Sequence, residues 1–161
     1  MSGHVDLVKE QFVALRDSQH RGAVHLLNLI RMRERADYPD GTDASGMEAY
    51  QTYGRVSEPV LARVGASIIW EGQFQMMLIG PGAEYWDLCF VAEYPSVLTF
   101  LEMLRDPVYR EAAAHRKAAA LDSRLIVLEP RPRATRFGQF LTEKSPQPGI
   151  EQSPRPDLDL I

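Results

Sequence analysis

Residues Tyr85–Pro130, YWDLCFVAEYPSVLTFLEMLRDPVYREAAAHRKAAALDSRLIVLEP, carry the pattern that decides the fold. WDLCFVAEYP is an apolar run that stops at Pro95, whose ring removes a donor from a sheet ladder, and it reads as a strand. Val97, Leu101 and Leu104 then recur at helical spacing. Asp106–Pro107 supplies an N-cap followed by proline at the first helical position. The Ala-rich run from there through Ala120 has high helix propensity. SRLIVLEP closes the stretch as a second strand. Both strands are almost wholly apolar, so both of their faces need cover.

Upstream, Val5, Val8, Phe12 and Leu15 recur at spacings of three and four and predict a short amphipathic helix ending before Arg21–Gly22. AVHLLNLIRM (Ala23–Met32) is a strand interrupted only by His25 and Asn28. Arg33–Asp43, with Pro39 and Asp40–Gly41, reads as an exposed loop. Ser45 and Glu48 form a capping box that opens the next helix. Met47, Tyr50, Gly54, Leu61 and Val64 are its predicted stripe, Pro59 the place of a predicted kink or tightened turn, and Gly65 its left-handed C-cap. ASIIWEG and FQMMLIG are expected to pair as a hairpin around Glu71–Gly72, with GPGAE as the following turn.

The 161 residues divide into an N-terminal helix (1–20), a domain (21–130) and a Pro-rich tail (131–161). In the tail, Phe137, Phe140 and Leu141 are possible anchors. Apolar content of 45% and charged content of 25% are those of an ordinary globular chain. A net charge of −4 without a Lys/Arg stripe gives no footing for nucleic acid. No apolar run reaches the roughly 20 residues that span a bilayer, and the first ten residues lack a signal-peptide core. The one cysteine, Cys89, excludes an internal disulfide framework. These features together predict a cytoplasmic protein.

The element order, a helix followed by β-α-β-β-α-β with the last helix in two parts and one extra strand, fits a ferredoxin-like split βαβ arrangement. This α+β class puts helices on one face of an antiparallel sheet. The apolar runs Ile68–Trp70, Met76–Ile79 and Leu88–Ala92 demand cover on the other face as well. A second copy of the chain is the simplest source of that cover.

YxxYxxxxxPxLxxxG at Tyr50–Gly65, the strand ending in Tyr94–Pro95, and DPxYxxAxxxR at Asp106–Arg116 resemble the domain of unknown function 1330 family. The resemblance spans Ala23–Pro130. It implies a dimeric α/β barrel, in a superfamily with small monooxygenases, lactone isomerases and chlorite dismutase-like proteins. It implies no particular activity.

The candidate substrate-binding residues are Asn28, Trp86 and Arg116; the candidate acid–base residues are His115, Tyr50 and Tyr53. Asn28 and His25 point to opposite faces of one strand, so one of them meets the helices. A buried amide needs partners, either structural or from a ligand. Tyr50 and Tyr53 are helical neighbours, and either could serve chemistry or simply pack. Trp86 and Asp87 likewise diverge. Arg116 suits a carboxylate or phosphate clamp, or else an ion pair with Asp122 or Asp87; Arg124 is a second possible partner for Asp87. His115 is a base near neutral pH only if it faces a cavity. Cys89 reads as a small buried hydrophobe.

There is no HExxH, CxxC, P-loop or helix-opening GxGxxG, and the four histidines lack paired ligand spacing. A haem would have only His115 as a helical ligand. The expected protein therefore needs no metal or cofactor. Its expected function is a cofactor-free isomerase, lyase or monooxygenase for a small apolar carbonyl or hydroxy-acid molecule. The expected alternatives are a non-catalytic small-molecule binder and a purely structural homodimer. In the enzyme reading, the loop Arg33–Asp43 is a mobile cover for a cavity lined by Asn28, Tyr50, Tyr53, Trp86 and Arg116, with His115 at its edge.

Overall fold

A computed structural model describes residues 3–132 and 136–138. Residues 1–130 form one compact unit and residues 131–161 another. Phe140 and Leu141, two of the expected tail anchors, lie outside the described residues.

The first unit runs α1 (Lys9–Arg16), β1 (Val24–Met32), α2 (Gly46–Arg63), β2 (Ser67–Gly72), β3 (Leu88–Tyr94), α3 (Val97–Arg105), α4 (Pro107–Ala119) and β4 (Ala120–Leu128). The sheet order is β2-β3-β1-β4, with every neighbouring pair antiparallel. β1 and β2 are thereby parallel across β3, and β3 and β4 parallel across β1. Two βαβ units interleave, which is the ferredoxin-like α+β arrangement.

Local chemistry places each boundary. The Ser45 hydroxyl accepts from the Glu48 amide at 3.2 Å and the Glu48 carboxylate accepts from the Ser45 amide at 2.8 Å, closing the capping box of α2. The helix continues through Pro59 to Arg63, and Gly65 turns the chain at φ 75°. Ser96 and Thr99 form a second box at the start of α3. Asp106 caps α4 by accepting from the Val108 amide at 2.8 Å and the Tyr109 amide at 3.2 Å. It also pairs with Arg63, tying the end of α2 to the start of α4.

Two expectations about boundaries are corrected. α4 stops at Ala119, and Ala120 already belongs to β4. FQMMLIG is not a strand. β2 pairs with β3 instead, with Ser67 opposite Glu93 and Gly72 opposite Cys89. β2 is an edge strand whose only partner among the described residues is β3, and the apolar run leaves its outer edge unpaired. Met76, Leu78 and Ile79 are left 71%, 85% and 92% exposed.

The α2 stripe is also rotated from the expected one. Gly46, Ala49, Ser57, Val60 and Val64 are buried, whereas Met47 and Gly54 are exposed. Gly46 allows this close approach, since a Cβ there would meet the Arg33 carbonyl oxygen at 2.2 Å.

Along β1 every second side chain (Val24, Leu26, Asn28, Ile30, Met32) is buried against the helices, while His25, Leu27, Leu29 and Arg31 are half-buried on the opposite face. The helix side holds two apolar clusters. One gathers Leu26, Val60, Tyr94, Phe100, Met103 and Tyr109; the other gathers Ile30, Met32, Ala49, Ala119 and Ala120.

Candidate functional site

Asn28 sits on β1 between Leu26 of the first cluster and Ile30 of the second, only 8% exposed. Its register partners on the same face are Phe90 and Leu125. Its amide nitrogen donates to the Leu26 carbonyl at 3.0 Å, and among the described residues its side-chain oxygen has no hydrogen-bond partner. One polar group thus marks the seam where the two apolar clusters meet.

The helices bring aromatic rings to the two clusters. Tyr50 packs against the second cluster and Tyr53 against the first, their ring centroids 5.1 Å apart. The Tyr53 ring stands edge-on to Tyr109 at 6.2 Å, and the two hydroxyls are 3.3 Å apart. Tyr94 belongs to the same neighbourhood and donates its hydroxyl to the Met103 sulfur at 3.2 Å. Burial, with smaller contributions from the neighbouring phenols, holds Tyr50, Tyr94 and Tyr109 protonated well above the ordinary phenol range. The nearby positive charge of Arg116 works against this shift at Tyr50 and Tyr109.

Arg116 is half-buried and donates through Nη1 to the Val5 carbonyl at 3.3 Å. Neither expected carboxylate partner is used. Asp122 pairs with Arg124 at 2.7 Å and accepts from the His4 amide at 2.7 Å; Asp87 accepts from the Met32 amide at 2.6 Å. Among the described residues no carboxylate lies within ion-pair distance of Arg116. A partly desolvated guanidinium without a counter-charge is a good place for an external anion.

His115 faces elsewhere. Its Nδ1 lies 2.7 Å from the Tyr38 hydroxyl, and the two rings meet edge-on at 5.6 Å. Tyr38 belongs to the loop expected to be mobile, but that loop is stapled to the end of α4. The Arg33 and Asp37 amides donate to the Ala119 and Ala118 carbonyls at 2.8 and 2.9 Å, and the Arg33 Nε donates to the Ala120 carbonyl at 3.2 Å.

Trp86 is on the other side of the sheet. It is buried beneath Arg124, whose Cζ stands 5.3 Å from its ring. The register partner of Arg124 is Leu29, which faces away from the helices. Tyr85 is likewise covered by Arg31 at 4.1 Å. The structure therefore gathers Tyr50, Tyr53 and Arg116 on the helix side, at the face that carries Asn28, and separates Trp86 from them. Sequence reasoning had Tyr109 in hand within DPxYxxAxxxR without giving it a role. Nothing in the local pattern pointed to Tyr38 as the partner of His115.

Cys89 is half-buried on the open face, and burial pushes its thiol up, away from the thiolate form. Among the described residues no three His, Cys, Asp or Glu side chains converge as a metal site. No described helix is long and apolar enough to cross a membrane.

The family described as Domain of unknown function (DUF1330) matches residues 42–130, from the end of the Tyr38 loop to the end of β4. This chain belongs to the DUF1330 family. The DUF1330 match includes Tyr50, Tyr53, Tyr109, His115 and Arg116, while Asn28 and Tyr38 precede it. The chain is similar to the methylated RPA0582 protein, at 56% identity over 82% of this chain and 98% of that one, with a TM-score of 0.80. A second crystal structure, of the RPA0582 protein of unknown function from Rhodopseudomonas palustris, is 55% identical over 81% and 99% of the two chains, with a TM-score of 0.78. No curated protein matches the chain.

Proposed function

We propose that this DUF1330 protein binds a small, largely apolar molecule carrying one anionic group, and that it turns the molecule over by proton transfer without a cofactor. Isomerase, lyase and monooxygenase types all fall within this reading. The observation that carries it is Arg116: half-buried, close to Tyr50 and Tyr109, and without a carboxylate partner among the described residues. Arg116 holds the anion, Asn28 offers its free amide oxygen, and Tyr50 and Tyr53 are the acid–base candidates. The bond from His115 to Tyr38 favours an indirect part for the imidazole, holding the loop against α4. Among the described residues Trp86 has no contact that supports a place beside Arg116. The test is native mass spectrometry of the purified protein. A co-purifying small anion that is lost in Arg116→Gln supports the reading. A ligand retained in full by Arg116→Gln overturns it.

The working form in this proposal is a cytoplasmic homodimer, closed as a dimeric α/β barrel, in which the open sheet face meets its copy. Trp70, Val91, Leu27 and Ile126 make one row across all four strands, and the row has no cover among the described residues of its own unit. With Cys89, Leu29, Leu128 and the exposed Met76–Ile79 segment, about ten apolar side chains are available. At roughly 80 Å² each they approach the ~800 Å² per partner of a standard interface. The residue 1–20 segment and the tail beyond Pro130 are read as additions to this domain, the tail being dispensable for its folding.

A further inference from the structure

We propose that the cleft between the end of α1 and the start of α3 binds a phosphate dianion, free or as the head of a small phosphomonoester. The site is separate from Arg116 and does not depend on the function proposed above.

The cleft holds about 280 Å³, its open mouth included. Arg16, Ser18, His20 and Arg21 line one side, and the first turn of α3 lines the other. A helix opening leaves several backbone amides without partners inside the helix. In α3 the Ser96–Thr99 box accounts for two amides at this end. The Thr99 amide donates to the Ser96 hydroxyl at 3.2 Å, and the Ser96 amide donates to the Thr99 hydroxyl at 3.1 Å. The Val97 and Leu98 amides have no acceptor among the described residues, and both residues line the cleft. Free amides at the positive end of a helix favour an anion.

A second, independent observation comes from the facing side. The Ser18 hydroxyl oxygen is buried and has no hydrogen-bond partner among the described residues. The Ser18 amide is satisfied, by the Leu15 carbonyl at 3.2 Å, so the hydroxyl is the group left over. A buried hydroxyl without a partner is costly, and an oxyanion seated in the cleft relieves that cost.

The charge at the cleft has the matching sign. Arg16 is offset by Asp17, to which it donates through Nε at 2.8 Å and Nη2 at 3.1 Å. Arg21, by contrast, has no carboxylate within ion-pair distance among the described residues. His20 donates from Nε2 to the Ala23 carbonyl at 2.8 Å, and its Nδ1 stands 3.8 Å from Glu129. Two amides, a hydroxyl and a guanidinium on two sides suit an anion with oxygens in several directions. The volume is below the roughly 300–1,000 Å³ of a pocket that encloses a whole drug-sized ligand. Any remainder of an esterified molecule therefore sits outside the cleft.

The probes are inorganic phosphate and phenyl phosphate, added to the full chain at constant ionic strength and followed by calorimetry and by backbone amide NMR shifts. Inorganic phosphate is expected to bind with a Kd of about 1 mM or tighter and to shift the Val97 and Leu98 amides. Arg21→Gln, a change at an exposed residue, is expected to weaken binding at least about 10-fold, and Ser18→Ala at least about 3-fold. Arg116→Gln is expected to bind phosphate as wild type does. Phenyl phosphate binding more tightly than inorganic phosphate assigns the site to a phosphomonoester, and weaker binding assigns it to the free ion. Should Ser18→Ala fail to fold, Arg21→Gln decides alone. The site is overturned by an absence of saturable phosphate binding up to about 10 mM, or by affinity that Arg21→Gln leaves untouched. Binding lost in Arg116→Gln but kept in Arg21→Gln overturns it too, by moving the anion to Arg116.

Discussion

The two faces of β1 differ in what covers them. Val24, Leu26, Ile30 and Met32 are sealed by α2, α3 and α4, while Leu27 and Leu29, one residue away in each case, face outward and are only half-covered. The strand is equally apolar on both sides. What differs is that residues 1–130 have helices for one face, and for the other, among the described residues of that unit, Glu84–Trp86, which lies over the Arg31 and Arg124 end. The helix side is thus the source of stability within one chain. The open side is the face that meets the partner copy in the proposed homodimer. Polar chemistry follows the same division. Phenols, an amide and a guanidinium gather on the sealed side, whereas the cross-strand His25–Glu93 pair at 2.8 Å lies on the open one.

Substitutions can break this contrast. On the sealed face, Ile30→Ala is expected to cost about 2–5 kcal/mol in denaturant unfolding, by removing a fully buried side chain and leaving a cavity. On the open face, Ile126→Asp is expected to leave folding of the single chain nearly unchanged but weaken self-association at least ~100-fold, because a two-fold interface loses the contact twice. Sedimentation velocity decides this. A wild-type protein that is a stable monomer at micromolar concentration ends the association argument, and an Ile126→Asp protein that is as dimeric as wild type removes the row from the interface.

Alkaline titration sharpens the sealed side. Burial raises the folded pKa values of Tyr50, Tyr94 and Tyr109, so their contribution to stability is intact below about pH 10 and is lost as pH climbs through the folded values. Near-ultraviolet absorbance is expected to show these three ionising only as the protein unfolds. Their smooth ionisation near pH 10 with the fold intact would make the seam wet.

Smaller effects are expected at the boundaries. Ser96→Ala deletes the acceptor for the Thr99 amide and is expected to cost about 1 kcal/mol, or roughly 2–4 °C in Tm by calorimetry. Asp122 holds the His4 amide. Partial burial pushes its pKa up, but hydrogen bonds from His4 and Arg124 win and keep it below the usual carboxylate range. Its contribution is therefore present above roughly pH 4 and lost as pH falls through the folded value. Hydrogen exchange at the His4 amide is expected to speed up there before the core opens.

The sequence alone determined the alternation of elements, because caps and breakers act within a few residues. Ser45–Glu48, Gly65, Pro95 and Asp106–Pro107 each satisfy or remove backbone hydrogen bonds locally, so their effect is readable without knowing what lies across the molecule. Apolarity was a weaker guide, since it reports a need for burial and not the means. FQMMLIG has the composition of a strand, yet it leaves the free edge of β2 unpaired. Tertiary structure alone decided which candidate residues come together. Among the described residues Arg116 is left without a carboxylate, and Asp122 and Asp87 are drawn to the His4 and Met32 amides instead. His115 turns to Tyr38 because the loop folds onto α4. Trp86 lies beneath Arg124 because strand register carries Arg124 to the open face. Each outcome is a competition between partners far apart in the chain, and only the fold brings them within reach of one another.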